Sequence, residues 1–138
     1  MTPGLGGAVS ALSPSLHHVA LGTRDVVALA DFYCRLLGVA ALREKRDQAG
    51  AVRAIWLDLA GVMLMLERSD PDAERARVQG VGLGPFLLAF RADASGRRAF
   101  ERRAAELGAA IESRSDYSSY LRDPDGNRIA VSEYELDP

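Results

Sequence analysis

The chain of 138 residues sets 17 Lys and Arg against 19 Asp and Glu, a formal charge of −2, with 48% hydrophobic residues. That length suffices for one domain with an apolar core, and a pI of about 5.7 argues against nucleic acid as a partner. No apolar run reaches bilayer length, and the single cysteine, Cys34, forbids an intrachain disulfide and fits a reducing, cytoplasmic compartment.

Residues 1–15 are Gly, Ala, Pro and Ser with scattered apolar side chains. They lack the positive start and compact apolar stretch of a secretory signal and are expected to form a flexible tail. Residues 16–22 alternate as a strand. Residues 23–25 can cap a helix whose apolar positions Val26, Leu29, Phe32, Tyr33, Leu36 and Leu37 share one face, and Gly38 suits its end. Cys34, inside this pattern, reads as a small buried apolar residue, since no neighbour in sequence would lower its pKa. A strand over 40–46, a loop over 47–50 and strands over 52–59 and 62–67 follow, the last two joined by a tight Ala60-Gly61 turn.

A linker over 69–84, with Pro71 and glycines at 80, 82 and 84, could hold a turn or two of helix at 72–78. The order then repeats. A strand is expected over 86–92 and a helix over 95–107, with Phe100, Ala104 and Leu107 inward and Gly108 at its end. Strands follow over 110–113, 117–122 and 128–134. Asp123-Pro124-Asp125-Gly126-Asn127 is strong hairpin chemistry, because Pro sets φ while Gly and Asn accept positive φ. An internal repeat defines architecture before any single residue does. Leu87-Leu88-Ala89-Phe90 opens the second copy as His18-Val19-Ala20-Leu21 opens the first.

Alternate side chains of a strand point to opposite faces. One parity is apolar in both halves: Val19 and Leu21; Ile55, Leu57 and Leu59; Leu64 and Leu66; Leu88 and Phe90; Ile129 and Val131. These should pack under the helices. The other parity is mixed: His18 and Ala20; Trp56 and Asp58; Met63, Met65 and Glu67; Leu87, Ala89 and Arg91; Tyr120 and Arg122; Ala130 and Ser132. Such a face suits a cleft lining.

The motifs His18-Val19-Ala20-Leu21, Asp31-Phe32-Tyr33 with Leu36-Leu37-Gly38, and Arg122-Asp123-Pro124-Asp125-Gly126-Asn127-Arg128-Ile129 carry a resemblance over residues 16–135. The chain resembles the vicinal oxygen chelate superfamily of glyoxalase I, extradiol dioxygenases, fosfomycin resistance enzymes and bleomycin resistance proteins. The resemblance implies an α+β fold: two tandem βαβββ modules forming curled mixed sheets around a cleft, with helices on the outer face. It implies one glyoxalase/bleomycin-resistance/dioxygenase-like domain over 16–138, with module one at 16–68, the linker at 69–84 and module two at 85–136.

The resemblance further implies four metal-ligand positions, two per module, on first and last strands. They match His18, Met65, Leu87 and Ala130, and only His18 retains a competent donor. Glu67, on the face of Met65, is the candidate substitute. Glu133, of opposite parity to Ala130, should point away.

Three readings follow. The first is a binding protein without cofactor that holds a small organic ligand in an apolar, aromatic cleft lined by His18, Trp56, Asp58, Met65, Glu67, Leu87, Arg91, Tyr120, Arg122 and Ala130. Trp56 and Tyr120 occupy corresponding places and would stack a flat ligand. Arg91 and Arg122 would hold a carboxylate or phosphate, or would pair with acids such as Asp58 and Glu67. The second is a divalent-metal lyase, epimerase or dioxygenase with a nonstandard site and catalytic candidates His18 and Glu67. The third is a subunit that acts through its surface alone. The resemblance also implies a homodimer, with modules paired side by side or exchanged. Neither nucleic acid nor membrane is an expected partner.

Overall fold

The computed structural model describes residues 14–75 and 78–136. Apart from Pro14 and Ser15, the expected tail lies outside them. The element order is β1 (His18–Thr23), α1 (Val26–Leu37), β2 (Ala41–Arg46), β3 (Val52–Leu59), β4 (Val62–Arg68), β5 (Leu88–Arg91), α2 (Ala94–Glu106), β6 (Ser113–Arg114), β7 (Ser118–Arg122) and β8 (Arg128–Ser132). This is βαβββ twice. Each module makes one four-stranded mixed sheet, ordered β1-β4-β3-β2 and β5-β8-β7-β6. The first and last strands of each module pair in parallel and the remaining pairs are antiparallel.

Local chemistry explains the boundaries. The Asp25 carboxylate accepts the Ala28 N–H at 3.0 Å and caps α1. Gly38 takes φ +68° at the other end, where its N–H reaches the Cys34 carbonyl. Asp93 caps α2 through the Gly96 N–H at 2.7 Å. Ala60 and Gly61 both take positive φ, as a two-residue hairpin turn demands.

Three expectations are corrected. The strand expected over 110–113 is instead the two-residue strand Ser113–Arg114. Ala109 donates back to the Ala104 carbonyl at 2.8 Å, so the chain stays tied to the end of α2 and first bonds to β7 at Glu112. The strand expected to reach residue 134 ends at Ser132, and the Tyr134 N–H donates to the Ser132 hydroxyl at 3.2 Å, not to a neighbouring strand. The helical turn expected over 72–78 is not formed in its described part. Pro71 and Asp72 make a turn, Ala73 N–H donates to the Asp70 carbonyl at 3.1 Å, and residues 76–77 lie outside the described residues.

The apolar parity packs under the helices in both modules. Leu29, Phe32, Tyr33 and Leu36 of α1 and Phe100 and Ala104 of α2 join Leu57, Leu64, Leu66, Leu121, Ile129 and Val131 in one continuous core. Each such Leu or Ile contributes about 1.5–3 kcal/mol by leaving water. Burial, with Asp31 nearby, pushes the Cys34 thiol up, which keeps it protonated.

One polar contact crosses the modules inside this core. The buried Tyr33 hydroxyl of α1 donates to Asp123 Oδ2 at 2.6 Å, in the turn between β7 and β8. The same carboxylate accepts the Asp125 and Asn127 N–H groups, each at 2.9 Å, and Asn127 Nδ2 at 2.7 Å. Burial, then the Asp123 charge, pushes the Tyr33 phenol far up, so it stays a donor. A hydrogen bond to a buried charge contributes about 1.5–3 kcal/mol. Tyr33→Phe should therefore lower unfolding free energy by about that amount, with no change of fold by circular dichroism. Urea unfolding measures it.

Candidate functional site

The strand register aligns the two modules residue for residue. In module one, Ala20 pairs with Met65, and Met65 pairs with Trp56. In module two, Ala89 pairs with Ala130, and Ala130 pairs with Tyr120. Met65 and Ala130 are thus equivalent positions, as are Trp56 and Tyr120. Both sheets turn this mixed face away from the helices, and His18, Ala20, Asp58, Ala89 and Arg91 on it are exposed.

On the first sheet, three predicted residues gather. His18 opens β1 opposite Met63. Its ring lies 6.1 Å from that of Trp56, and its Nδ1 lies 2.8 Å from Nδ1 of His17. Half-buried Met65 stands between Ala20 and Trp56. The Trp56 indole N–H is buried without a hydrogen-bond partner among the described residues. Lys45 Nζ from β2 stands 5.8 Å from the Trp56 ring centre. On the second sheet, Ala130 is buried between Ala89 and Tyr120. The Arg128 guanidinium lies 4.8 Å over the Tyr120 ring. Each aromatic wall thus carries a cation at cation–π distance. Half-buried Leu87 sits just before β5.

Four other predicted residues are engaged elsewhere or stand apart. Asp58 Oδ1 accepts the Gly61 N–H at 3.2 Å and braces the hairpin. Glu67 lies 3.6 Å from Arg53. Arg122 donates to Glu112 at 3.2 Å, to the Gly126 carbonyl at 3.1 Å and to the Val78 carbonyl of the linker. Its partner is therefore neither Asp58 nor Glu67. Arg91 is exposed opposite Ser132.

A divalent metal does not fit this donor set. Glu67 pairs with Gly22, four residues along the ladder from His18 and Met63. At roughly 3.3 Å rise per residue their backbones stand about 13 Å apart along the ladder, a spacing that does not favour joint ligation of one ion. Leu87 and Ala130 offer hydrocarbon, and the Met65 thioether is a soft donor. Among the described residues no three His, Cys, Asp or Glu side chains group to hold an ion. The nonstandard pair of His18 and Glu67 is thus not favoured by this spacing.

Sequence reasoning missed the two cations over the aromatic rings. The parity of Arg128, two residues before Ala130, was a signal for one. Lys45 had no such signal, because β2 carries register shifts that break simple parity. It also missed Arg97, which binds the Ser119 hydroxyl at 2.9 Å, Glu133 at 3.2 Å and the carbonyls of Ser115, Asp116 and Ser118. That guanidinium straps α2 to the edge of the second sheet. Among the described residues, surface cavities lie along α2, at the linker and beside Arg53, and of the predicted site residues Glu67 lines the last of these.

The family model described as a glyoxalase-like domain matches residues 18–132. Similar crystal structures include a glyoxalase family protein from Enterococcus faecalis, at 25% identity and TM-score 0.66, with 86% of this chain and 97% of that one covered. A lactoylglutathione lyase from Agrobacterium tumefaciens is 22% identical with TM-score 0.62, over 87% of this chain and 93% of that one. The fosfomycin resistance protein FosX from Listeria monocytogenes, complexed with Mn(II) and sulfate, is 16% identical with TM-score 0.70, over 91% and 96%. No curated protein matches the chain. No helix among the described residues is long and apolar enough to cross a membrane.

Arg122 ties the linker to β7. Arg122→Ala should speed limited proteolysis within residues 69–84 severalfold, whereas Arg91→Ala should leave it unchanged. Mass spectrometry of the fragments reads both.

Proposed function

The chain belongs to the glyoxalase-like domain family of the vicinal oxygen chelate superfamily, and on that premise we propose that it binds a small organic ligand on its apolar, aromatic sheet faces without the family's divalent metal. The observation that carries the reading is the shared register. It puts Met65 and Ala130 at equivalent last-strand positions, and neither is a ligand for a hard cation. What replaces the donors is apolar surface with aromatic walls, which suits a flat organic body.

The cations refine the ligand class. Lys45 and Arg128 stand over the two aromatic rings, so an aromatic ring bearing an acidic group satisfies both features. The ring stacks on Trp56 or Tyr120 for about 0.5–1.5 kcal/mol beyond apolar burial. The acid takes a cation, and Arg128 offers the more directional fork. His18, beside Trp56, supplies a hydrogen bond to a polar substituent. Asp58, Glu67 and Arg122 contribute through the scaffold that holds these residues.

Among the described residues no element packs over the aromatic faces. Among the described residues β1 pairs only with β4, and β5 only with β8, so each sheet keeps an open edge there. A second copy laid against these edges would bury both and enclose the ligand. The working unit in this reading is a homodimer.

Trp56 is the chain's single tryptophan, so its emission reports the site directly. A panel of planar aromatic acids and aromatic antibiotics should contain a compound that quenches it saturably. Tyr120→Ala should weaken that compound about tenfold, and a chelator should leave the affinity unchanged. A panel without a binder, or binding that requires an added divalent cation, contradicts the reading.

A further inference from the structure

Helix α2 carries four arginines, at 97, 98, 102 and 103. Two have structural work. Arg97 is drawn inward by five partners. Arg103 lays its guanidinium over Gly38, with Nη1 3.0 Å from where a Cβ would stand. There it complements the negative end of α1. Arg98 and Arg102 have none: both are exposed, and neither makes an ion pair or side-chain hydrogen bond among the described residues. They stand one helical turn apart, where like charges repel and destabilise the helix slightly.

These two guanidinium groups rim an open groove of about 750 Å³ between α2 and the chain that leaves it. Ala105, Ala110 and Ile111 give it an apolar lining, and Arg114 lines it as well. The acid in the groove is already committed. Glu101 accepts from Arg114 Nη2 at 2.7 Å and from the Ser119 hydroxyl. Those contacts, Arg114 first, hold its carboxyl down to about 2. Glu101 therefore answers Arg114 and leaves the charges of Arg98 and Arg102 uncompensated. Gly108, at φ +76°, turns the chain away from the helix. No atom lies within 4 Å of where a Cβ at Gly108 would stand, so the groove is open there.

We propose that this groove is a second binding site, for a small amphipathic anion whose carboxylate, phosphate or sulfonate is held by Arg98 and Arg102 while its apolar body lies on Ala105, Ala110 and Ile111. The two guanidinium forks, one turn apart, supply paired donors to one anionic head. The volume falls in the range of small-molecule sites. The groove lies on the helix side of the second sheet, opposite the aromatic face, so it stands independently of the ligand proposed there.

Anilinonaphthalene sulfonate is an aromatic anion of this class and fluoresces when desolvated. Titrated into the full chain, it should show a saturable component that weakens at least about tenfold in the Arg98→Ala, Arg102→Ala double variant. Both residues are exposed, so the variant should keep its circular dichroism spectrum. Ala110→Trp, which fills the groove, should abolish the same component, and raised salt should weaken it. A Trp56→Ala, Tyr120→Ala variant should retain it. The proposal is overturned if no saturable component exists, if the arginine variant binds as the parent does, or if the signal disappears only with the aromatic-face variant.

Discussion

The parallel pairing of first strand with last strand in each module is the constraint on which the rest of the structure depends. A strand shows alternate residues to alternate faces, and a one-residue slip would exchange them all. With Ala20 beside Met65 and Ala89 beside Ala130, both modules send Leu and Ile toward the helices and their mixed residues away. The common core follows from one side of this alignment. The aromatic, cation-topped face follows from the other.

The modules are then held together by chemistry that only a buried site permits. Asp123 collects three donors from its own turn and a fourth from Tyr33 of the other module. A carboxylate so surrounded tolerates burial because its charge is answered by hydrogen bonds. The turn that joins β7 to β8 is thus also the joint between modules. Arg97 plays a comparable part at the far end of the second sheet, where it gathers the carbonyls of Ser115, Asp116 and Ser118.

Much of this was legible in the sequence because short-range rules govern it. Asp25 and Gly38 cap α1, Ala60 and Gly61 turn the hairpin, and residue parity along β3 and β4 assigns their faces. What was not legible depends on contacts far apart in the chain. Arg122 reads as a holder of a ligand acid, or as a partner of Asp58 or Glu67, until the Val78 carbonyl and Glu112 are brought to it. The 110–113 segment reads as a strand until Ala109 is tied to α2. His18 and Glu67 share a face, yet only the pairing of β1 with β4 reveals that they stand four residues apart on the ladder. Of the candidate site, the correspondence of Trp56 with Tyr120 followed from the repeat, whereas the cations above them required the bulged course of β2 and the reach of Arg128.

The proposed function is that of a face that holds an organic ligand where the family holds a metal. Elemental analysis of protein purified without a metal-binding tag, paired with thermal unfolding in Mn, Fe, Ni, Zn and Mg, tests it most directly. The account predicts far less than one metal per chain and no saturable stabilisation by any of the five. One metal per chain, with stabilisation lost in His18→Ala, would contradict it.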